Sequence, residues 1–291
     1  MSNLLSEMEN YSIAVGSQAS LQGAKDITSG NIITENGNIK QIPERARVPV
    51  ETLTTKKLEQ LLAQNNLPFL PNEKGYCNVK AVKTAVSGYE LTGANQLIAK
   101  AFLRERDMDN DNIITYNQAA DLGSPVKVGE KAFHISFYDK NTGKNIITRY
   151  FAEGQTRNPE ILPYQKTTPE SRHGALVQES ADAQDYITNY LSCVRENRAF
   201  KVSPEIAQSF KENFAAELKK GPLQIYKMGN LAEKQIYIKT EKGKEWLSSE
   251  NGQKWLKTEM GKEFLKTKQG KELSEIVKVP SRDTRSIGFE R

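Results

Sequence analysis

The sequence predicts an α+β protein: N-terminal helices, then an antiparallel β-hairpin sheet, then a mainly helical C-terminal part with nine-residue repeats. Three observations predict this class. Apolar residues recur with a helical period after residue 50, with a period of two around residues 132–153, and with a helical period again after residue 176. A run of helices followed by a run of strands is typical of α+β folds.

Length and composition limit the class of protein. The chain has 291 residues with a mean hydropathy of −0.63, enough for one large domain or two modest ones. No window approaches about eighteen consecutive apolar residues, so we expect no membrane span. The start, MSNLLSEMENYS, lacks the basic and then apolar run of a signal peptide. Cys77 and Cys193 lie far apart in sequence, which suits a reducing cytoplasm and gives no metal-ligand spacing.

The N-terminal part is predicted to be an arm followed by helices. Residues 1–47 are rich in Ser, Asn, Gly and Gln, which indicates a disordered or loosely packed arm. Helical periodicity then predicts helices over 52–65, 95–106 and 116–122, and Gly123 is the expected left-handed terminator of the third.

An alternating pattern follows these helices. The segments KAFHISFYD and NIITRYFAE each alternate apolar with polar residues, and DKNTGK between them is typical of a hairpin turn. Two strands after three helices predict one α+β domain over residues 48–157.

Residues 158–240 are predicted to be a helical module. The pattern is helical from about Leu176 to Lys220, with Ser203 as an N-cap, Pro204 at the first helical position and Gly221 at the end. The sequence leaves open whether these helices, with the segments LQIYKM and QIYIKT, form a second module or lie against the first domain.

Residues 241–291 contain a nine-residue repeat. Glycines recur at 243, 252, 261 and 270, each followed three residues later by an aromatic residue or leucine: Trp246, Trp255, Phe264 and Leu273. The unit either breaks at each glycine or forms one helix with two apolar stripes. Because residues 201–291 hold 19 basic and 13 acidic side chains, we predict a basic docking tail that uses Trp246, Trp255 and Phe264. Proteins, exposed bases and membrane surfaces are all possible targets of this composition.

The stretch RDMDNDNIITYNQ resembles an EF-hand calcium loop. Asp107, Asp109 and Asp111 occupy the first, third and fifth ligand positions, and Asn112 can replace the usual turn glycine. The twelfth position, however, is Gln118, whose neutral amide cannot supply a bidentate carboxylate. Since the chain also lacks a second loop of this kind, we expect a polar connector without a metal.

The residues after these aspartates carry a family resemblance. The run ITYNQAADLGSPVKVGEKAFHISFYD closely resembles the N-terminal domain of ArdC-type antirestriction proteins, which also occurs on plasmid TraC-type primases. The matching positions are Thr115, Gln118-Ala119, Leu122-Gly123, Val126 and Gly129-Glu130-Lys131, with Pro68-Phe69 and Gly93-Ala94-Asn95 upstream and Phe151 and Gln155-Thr156 downstream. The resemblance spans roughly residues 50–157.

The resemblance implies an α+β module that binds single-stranded DNA without strong sequence preference. The candidate DNA-binding residues are Tyr89, Gly93, Asn95, Thr115, Tyr116, Gln118, Lys127, Gly129, Lys131, Arg149 and Gln155. Lysines and arginines, including Arg157, would neutralise phosphates, and tyrosines, including Tyr138, would stack on bases. The alternative is that the tyrosines border the core and that Gly129-Glu130-Lys131 is only a tight turn.

Two departures from the family pattern concern binding. The family usually has Tyr-Arg where this chain has Leu91-Thr92, and Asn where it has Ala152.

Full-length ArdC-type proteins also carry a zinc peptidase domain with an H-E-x-x-H motif, which His134 and His173 cannot form. No phosphate-binding loop and no G-x-S-x-G elbow is present. We therefore expect no enzymatic activity, cofactor or metal.

The sequence thus predicts a cytoplasmic, non-enzymatic protein of a plasmid, phage or other mobile element. Its partner would be single-stranded DNA, which it would protect or escort in an antirestriction-like role, and the repeats would dock on another protein. The alternative is a protein-interaction or translocated effector protein that keeps the fold without binding DNA. Loss of binding at low salt would favour that alternative.

Overall fold

The protein is described by a computed structural model over residues 31–33, 39–41, 50–109, 112–139, 144–163, 176–177 and 183–277. The chain divides into two units, residues 1–50 with 136–147 and residues 51–135 with 148–291. In the first unit, β1 (Asn31–Ile33) pairs antiparallel with β2 (Ile39–Gln41). This pair lies within the predicted arm, whose other residues are outside the described ranges.

The second unit begins with the predicted helices. These are α1 (Val50–Ala63) and α2 (Gly93–Arg104), with the short strand β3 (Tyr76–Cys77) between them. Leu58 and Leu61 bury the apolar face of α1, and Asn65 (φ 54°) turns the chain away after the helix. Both helices are confirmed within about two residues of their predicted bounds, which is the usual uncertainty of a helix end.

The two strands of the predicted hairpin are confirmed as neighbours in a three-stranded sheet, and residues 140–143 of the predicted turn lie outside the described residues. The elements are β4 (Ile113–Ile114), α3 (Tyr116–Asp121), β5 (Phe133–Asp139) and β6 (Lys144–Ala152), in the strand order β4-β6-β5. Gly123 (φ 75°) follows α3 as predicted. Two 3-10 helices, Glu153–Gln155 and Pro159–Ile161, follow β6.

Both faces of this sheet carry apolar packing. On one face, the Phe133 ring lies 4.0 Å from the Phe102 ring and 6.3 Å from the Tyr150 ring. Another buried cluster joins Ile114 to Ala85, Ala119 and Leu162. Because Ala119 lies in α3, this cluster fixes α3 against the edge of the sheet.

The C-terminal half differs from the predicted helical run in two places. It contains β7 (Leu176–Val177), α4 (Ala183–Glu196), β8 (Phe200–Lys201), α5 (Pro204–Leu218) and α6 (Gln224–Ile238). Strand β8 pairs with β3 on one side and β7 on the other. These short strands are stabilised by pairing with distant segments, which local periodicity does not reveal. The segments LQIYKM and QIYIKT belong to the single helix α6.

Helix α6 lies against α2, and helix α4 lies against α6. A Cβ atom on Gly229 of α6 would be 2.4 Å from the backbone nitrogen of Ala94, so only glycine permits this crossing. Thr188 of α4 and Gln235 of α6 share a buried hydrogen bond of 2.5 Å. Around them, the ring of Phe69 contacts the rings of Phe210 and Phe214.

The nine-residue units form four short helices that begin nine residues apart. They are α7 (Glu241–Ser248), α8 (Glu250–Leu256), α9 (Glu259–Lys266) and α10 (Lys268–Val277). The chain breaks at a Ser or Thr N-cap three residues before each glycine, not at the glycine. In α8, the Ser249 hydroxyl accepts from the Gly252 N–H (3.3 Å) and donates to the Trp246 carbonyl (2.6 Å). Thr240, Thr258 and Thr267 repeat this arrangement.

Only glycine fits at the four repeat positions, because a Cβ atom there would overlap the backbone of the preceding helix. A Cβ on Gly252 would lie 2.2 Å from the Trp246 carbonyl oxygen, and the other three glycines meet the preceding helix equally closely. The glycines therefore let consecutive helices cross in direct backbone contact. Among the helices that the structure describes, none combines the length and apolar composition that crossing a lipid bilayer requires.

Candidate nucleic-acid interface

Helix α3 begins with a capping box built from two candidate residues. The Gln118 N–H donates to the Thr115 hydroxyl (3.3 Å), and the Thr115 N–H donates to the Gln118 side-chain oxygen (3.2 Å). Both side chains therefore satisfy backbone groups at the helix start. Between them, Tyr116 projects with 57% of its surface exposed. The cap thus positions Tyr116, and Tyr116 is the residue of the three that can contact a ligand.

The Gly129-Glu130-Lys131 triplet overlaps a type II turn formed by residues 127–130, and Lys131 directly follows that turn. The Glu130 N–H donates to the Lys127 carbonyl at 3.3 Å, and Gly129 at the third turn position has φ 89°. A residue at this position of a type II turn needs a positive φ, which explains the glycine. Lys127, Val128 and Lys131 all project from this turn into solvent.

Gln155 fastens this turn to the end of β6. It is fully buried, and its amide nitrogen donates to the Glu130 carboxylate (2.6 Å) and the Lys131 carbonyl (3.2 Å). Its amide oxygen accepts from the Ala152 N–H at 2.8 Å. All of its hydrogen-bonding groups are directed inward, so Gln155 orders the turn and does not itself face a ligand.

Arg149 and Phe151 continue the same surface along β6. Alternate residues of a strand share a face, so these two side chains point the same way. The Phe151 ring lies 6.4 Å from the Tyr116 ring. Burial lowers the pKa of His134, and the nearby charge of Arg149 lowers it further.

Four cations lie around these elements. Lys127, Lys131, Arg149 and Arg157 are exposed. No ion pair joins any of them to an acid among the described residues. The Lys127 ammonium donates to the Gly154 carbonyl at 2.8 Å, which holds it beside the turn. We call residues 127–131, Tyr116, Arg149 and Arg157 the basic turn surface.

Three other candidates lie at the start of α2. Gly93 (φ 53°) packs against the backbone of α6, where its Cβ would be 3.1 Å from the Gly229 carbonyl oxygen. Gly93 is therefore explained by its φ and by this close approach, and Asn95 beside it is half-buried. Tyr89 is 43% exposed, and partial burial raises its pKa against the opposing hydrogen bond to Thr92. Of these candidates, Tyr89 has a ring accessible for stacking.

The calcium-like stretch is used for internal contacts. The left-handed residue is Asp107 (φ 54°), and the Asp109 carboxylate pairs with Arg104 at 2.6 Å. Asn112 is buried and donates to the Glu153 carboxylate at 3.1 Å and 3.2 Å. Among the described residues, no group of three or more His, Cys, Asp or Glu side chains is placed to hold a metal. Asp111, the Tyr138 side chain and His173 lie outside the described residues.

The tail-docking candidates form a ladder of rings within the protein. Ring centroids are 5.6 Å apart for Trp246 and Trp255 and 5.5 Å apart for Trp255 and Phe264. Phe264 is fully buried, whereas the two tryptophans are half-buried. The Lys234 ammonium lies 3.9 Å from the Trp246 ring centroid. In this arrangement Phe264 cannot contact a partner, and the ladder packs the repeat helices against α6.

Sequence reasoning did not single out Val128 at the tip of the turn. It is 91% exposed, more than any other large apolar side chain that the structure describes. The sequence signal was weak, since a single apolar residue between Lys127 and Gly129 does not by itself indicate a binding surface.

The comparison with protein-family models agrees with the resemblance. The family model for the N-terminal domain of anti-restriction factor ArdC matches residues 49–169, which confirms the resemblance placed at about 50–157. The metal-free crystal structure of antirestriction ArdC protein from the R388 plasmid covers 68% of this chain and 99% of its own, with a TM-score of 0.45 and 12% identity. The Mn(II)-bound structure covers 65% and 96%, with a TM-score of 0.47 and 11% identity. No curated protein matches the sequence significantly.

Proposed function

We propose that residues 49–169 bind single-stranded DNA with little sequence preference. We further propose that the protein serves a plasmid, phage or other mobile element in an antirestriction-related role, in which it protects or escorts DNA. The family match supports the role. The basic turn surface is the observation that carries the binding proposal, because it combines exposed cations with an exposed tyrosine on an ordered scaffold.

The charges of this surface suit a polyanion. Lys127 and Lys131 project from one turn, and Arg149 and Arg157 lie on β6 and after the first 3-10 helix. Since no described acid neutralises them, their positive potential remains available to phosphates. Binding that depends on phosphates falls with salt, because each neutralised phosphate releases condensed counterions.

The stacking partner for a base is Tyr116. Its ring is more than half exposed, and the capping box below it fixes the backbone from which it projects. An aromatic ring stacks on any base, so this contact would add affinity without reading sequence.

The test is fluorescence anisotropy with labelled mixed-sequence and poly-dT oligonucleotides between low and moderate salt. If all four cations contact phosphates, the slope of log K against log salt is about −3. The double variant Lys127→Gln/Lys131→Gln should make that slope shallower by about 1.4. Its matched control is Lys244→Gln/Lys266→Gln, which removes two lysines already paired with Glu241 and Glu263 and should leave the slope unchanged. No binding at low salt, or binding insensitive to salt, contradicts the proposal.

A further inference from the structure

The tip of the basic turn surface is an apolar side chain. Val128 is 91% exposed, while the next most exposed large apolar residue described, Tyr116, is 57% exposed. A single exposed apolar residue is by itself ordinary. Val128 differs because it stands in a tight turn between two exposed lysines, Lys127 and Lys131.

The backbone that presents Val128 is held in place by four hydrogen bonds. The Lys127 N–H donates to the Gln155 carbonyl (2.9 Å), and the Glu130 N–H closes the turn onto the Lys127 carbonyl (3.3 Å). The buried Gln155 amide holds the Glu130 carboxylate and the Lys131 carbonyl. Valine is also branched at Cβ, so its own χ1 is restricted. The tip is therefore ordered before any ligand binds, and binding need not order it.

The surroundings of Val128 leave room for a planar group. A Cβ built on Gly129 has no atom within 4 Å, so the space beside the tip is open. The neighbouring acid, Glu130, has its carboxylate on the Gln155 amide at 2.6 Å. Close to the tip, the exposed side chains are thus one apolar group, two lysines and the Glu130 carboxylate, one oxygen of which is held by Gln155.

We propose that Val128 inserts between two adjacent bases of a bound single strand as an apolar wedge, while Lys127 and Lys131 contact the phosphates on either side. This inference rests on the proposed function. The faces of bases are the apolar surface of a nucleic acid, and apolar side chains inserted at base steps unstack them. A wedge of this kind holds the strand in place without reading its sequence.

The experiment places 2-aminopurine, whose fluorescence rises when it unstacks, within an oligonucleotide that the full chain binds. Val128→Thr keeps the shape but adds a hydroxyl, and Val128→Phe enlarges the apolar surface. Val128→Thr should weaken binding about fivefold and remove the fluorescence rise, whereas Val128→Phe should bind at least as tightly as wild type. Both variants should keep the wild-type salt slope, because neither removes a cation.

The outcomes separate this inference from the proposed function. If the wild type binds with salt dependence but Val128→Thr has the same affinity and fluorescence rise, the wedge is overturned and the DNA-binding proposal stands. Equal weakening by Val128→Thr and Val128→Phe also overturns the wedge, since a larger apolar group should stack better. Absence of salt-dependent binding by the wild type overturns both. Unfolding curves of the variants should match the wild type because the side chain touches solvent.

Discussion

The basic turn surface and the repeat helices α7–α10 both combine lysines with aromatic residues, but they differ in charge pairing and in ring exposure. Both are rich in lysine. In the repeats, three lysines pair with a glutamate of their own helix: Lys244 with Glu241 at 2.8 Å, Lys254 with Glu250 at 2.6 Å and Lys266 with Glu263 at 2.6 Å. On the turn surface no described acid pairs with a cation. These three repeat lysines therefore resemble an ordinary solvated helix face.

The aromatic residues of the two regions differ in the same sense. Tyr116 is 57% exposed beside the turn, whereas Phe264 in the repeats is fully buried. The rings of Trp246 and Trp255 contact each other and pack against the cluster of Leu231, Ile238 and Leu247. Lysine with aromatic residues thus indicates a binding surface only where the charges are unpaired and the rings are exposed, which composition alone does not show.

The largest expected effect is a difference in stability between a glycine-to-alanine substitution in the repeats and one in the basic turn surface. Gly252→Ala should lower the free energy of unfolding by about 3 kcal/mol, because its Cβ would overlap the Trp246 and Leu247 carbonyls, which cannot move aside. Gly129→Ala has open space and should cost only about 1 kcal/mol of backbone strain. Urea unfolding followed by tryptophan fluorescence checks this, since both tryptophans of the chain lie in the repeats. Equal losses for the two variants would contradict the crossing geometry.

A lysine outside both regions shows what burial does to this side chain. Lys100 is 2% exposed, and burial lowers its pKa from 10.5 to about 7. The unfolded chain therefore binds more protons between pH 7 and 10.5, so stability rises with pH across that window. Burial raises the pKa of the Cys77 thiol from 9.0 to about 12. The stability that this buried thiol contributes is therefore lost only as pH rises above 9. Between pH 7 and 9 the Lys100 effect should amount to about 2 kcal/mol.

The measurement is urea unfolding of the wild type and Lys100→Met at pH 7, 8 and 9. The wild type should gain stability over this range and the variant should not. The exposed lysine variant Lys127→Met is the matched control and should follow the wild type. A pH slope retained in Lys100→Met would place the titrating group elsewhere.

Smaller effects on stability and on oligonucleotide affinity should distinguish a packed aromatic ring from an exposed one. Trp255→Ala should cost about 2 kcal/mol of stability, because the half-buried ring contacts its neighbours in the ladder. Tyr116→Ala should change stability by less than about 0.5 kcal/mol, since most of its ring faces solvent. Oligonucleotide affinity should show the reverse order, falling several-fold for Tyr116→Ala alone. If Trp255→Ala left stability unchanged but lost DNA binding, the repeat ladder would be the binding surface.

The sequence by itself determined the elements whose signals are local. The alternation around Phe133 and Phe151 predicts the two main strands, and Ser203 with Pro204 predicts the start of α5. Gly123 predicts the end of α3. Each of these signals depends on neighbouring residues and on backbone geometry, so no distant contact is needed to read it. The family pattern around residues 115–131 was readable for the same reason.

Tertiary structure alone decided the elements and roles that depend on distant partners. Phe200–Lys201 becomes a strand because it pairs with Tyr76–Cys77 on one side and with Leu176–Val177 on the other. Gln155, a candidate ligand contact by sequence, is buried because the Glu130 and Lys131 turn folds over it. The repeat glycines are needed where helices cross, and the ladder rings pack inward because α6 covers them. A sequence shows which groups are present, but burial and charge pairing depend on what the fold places beside them.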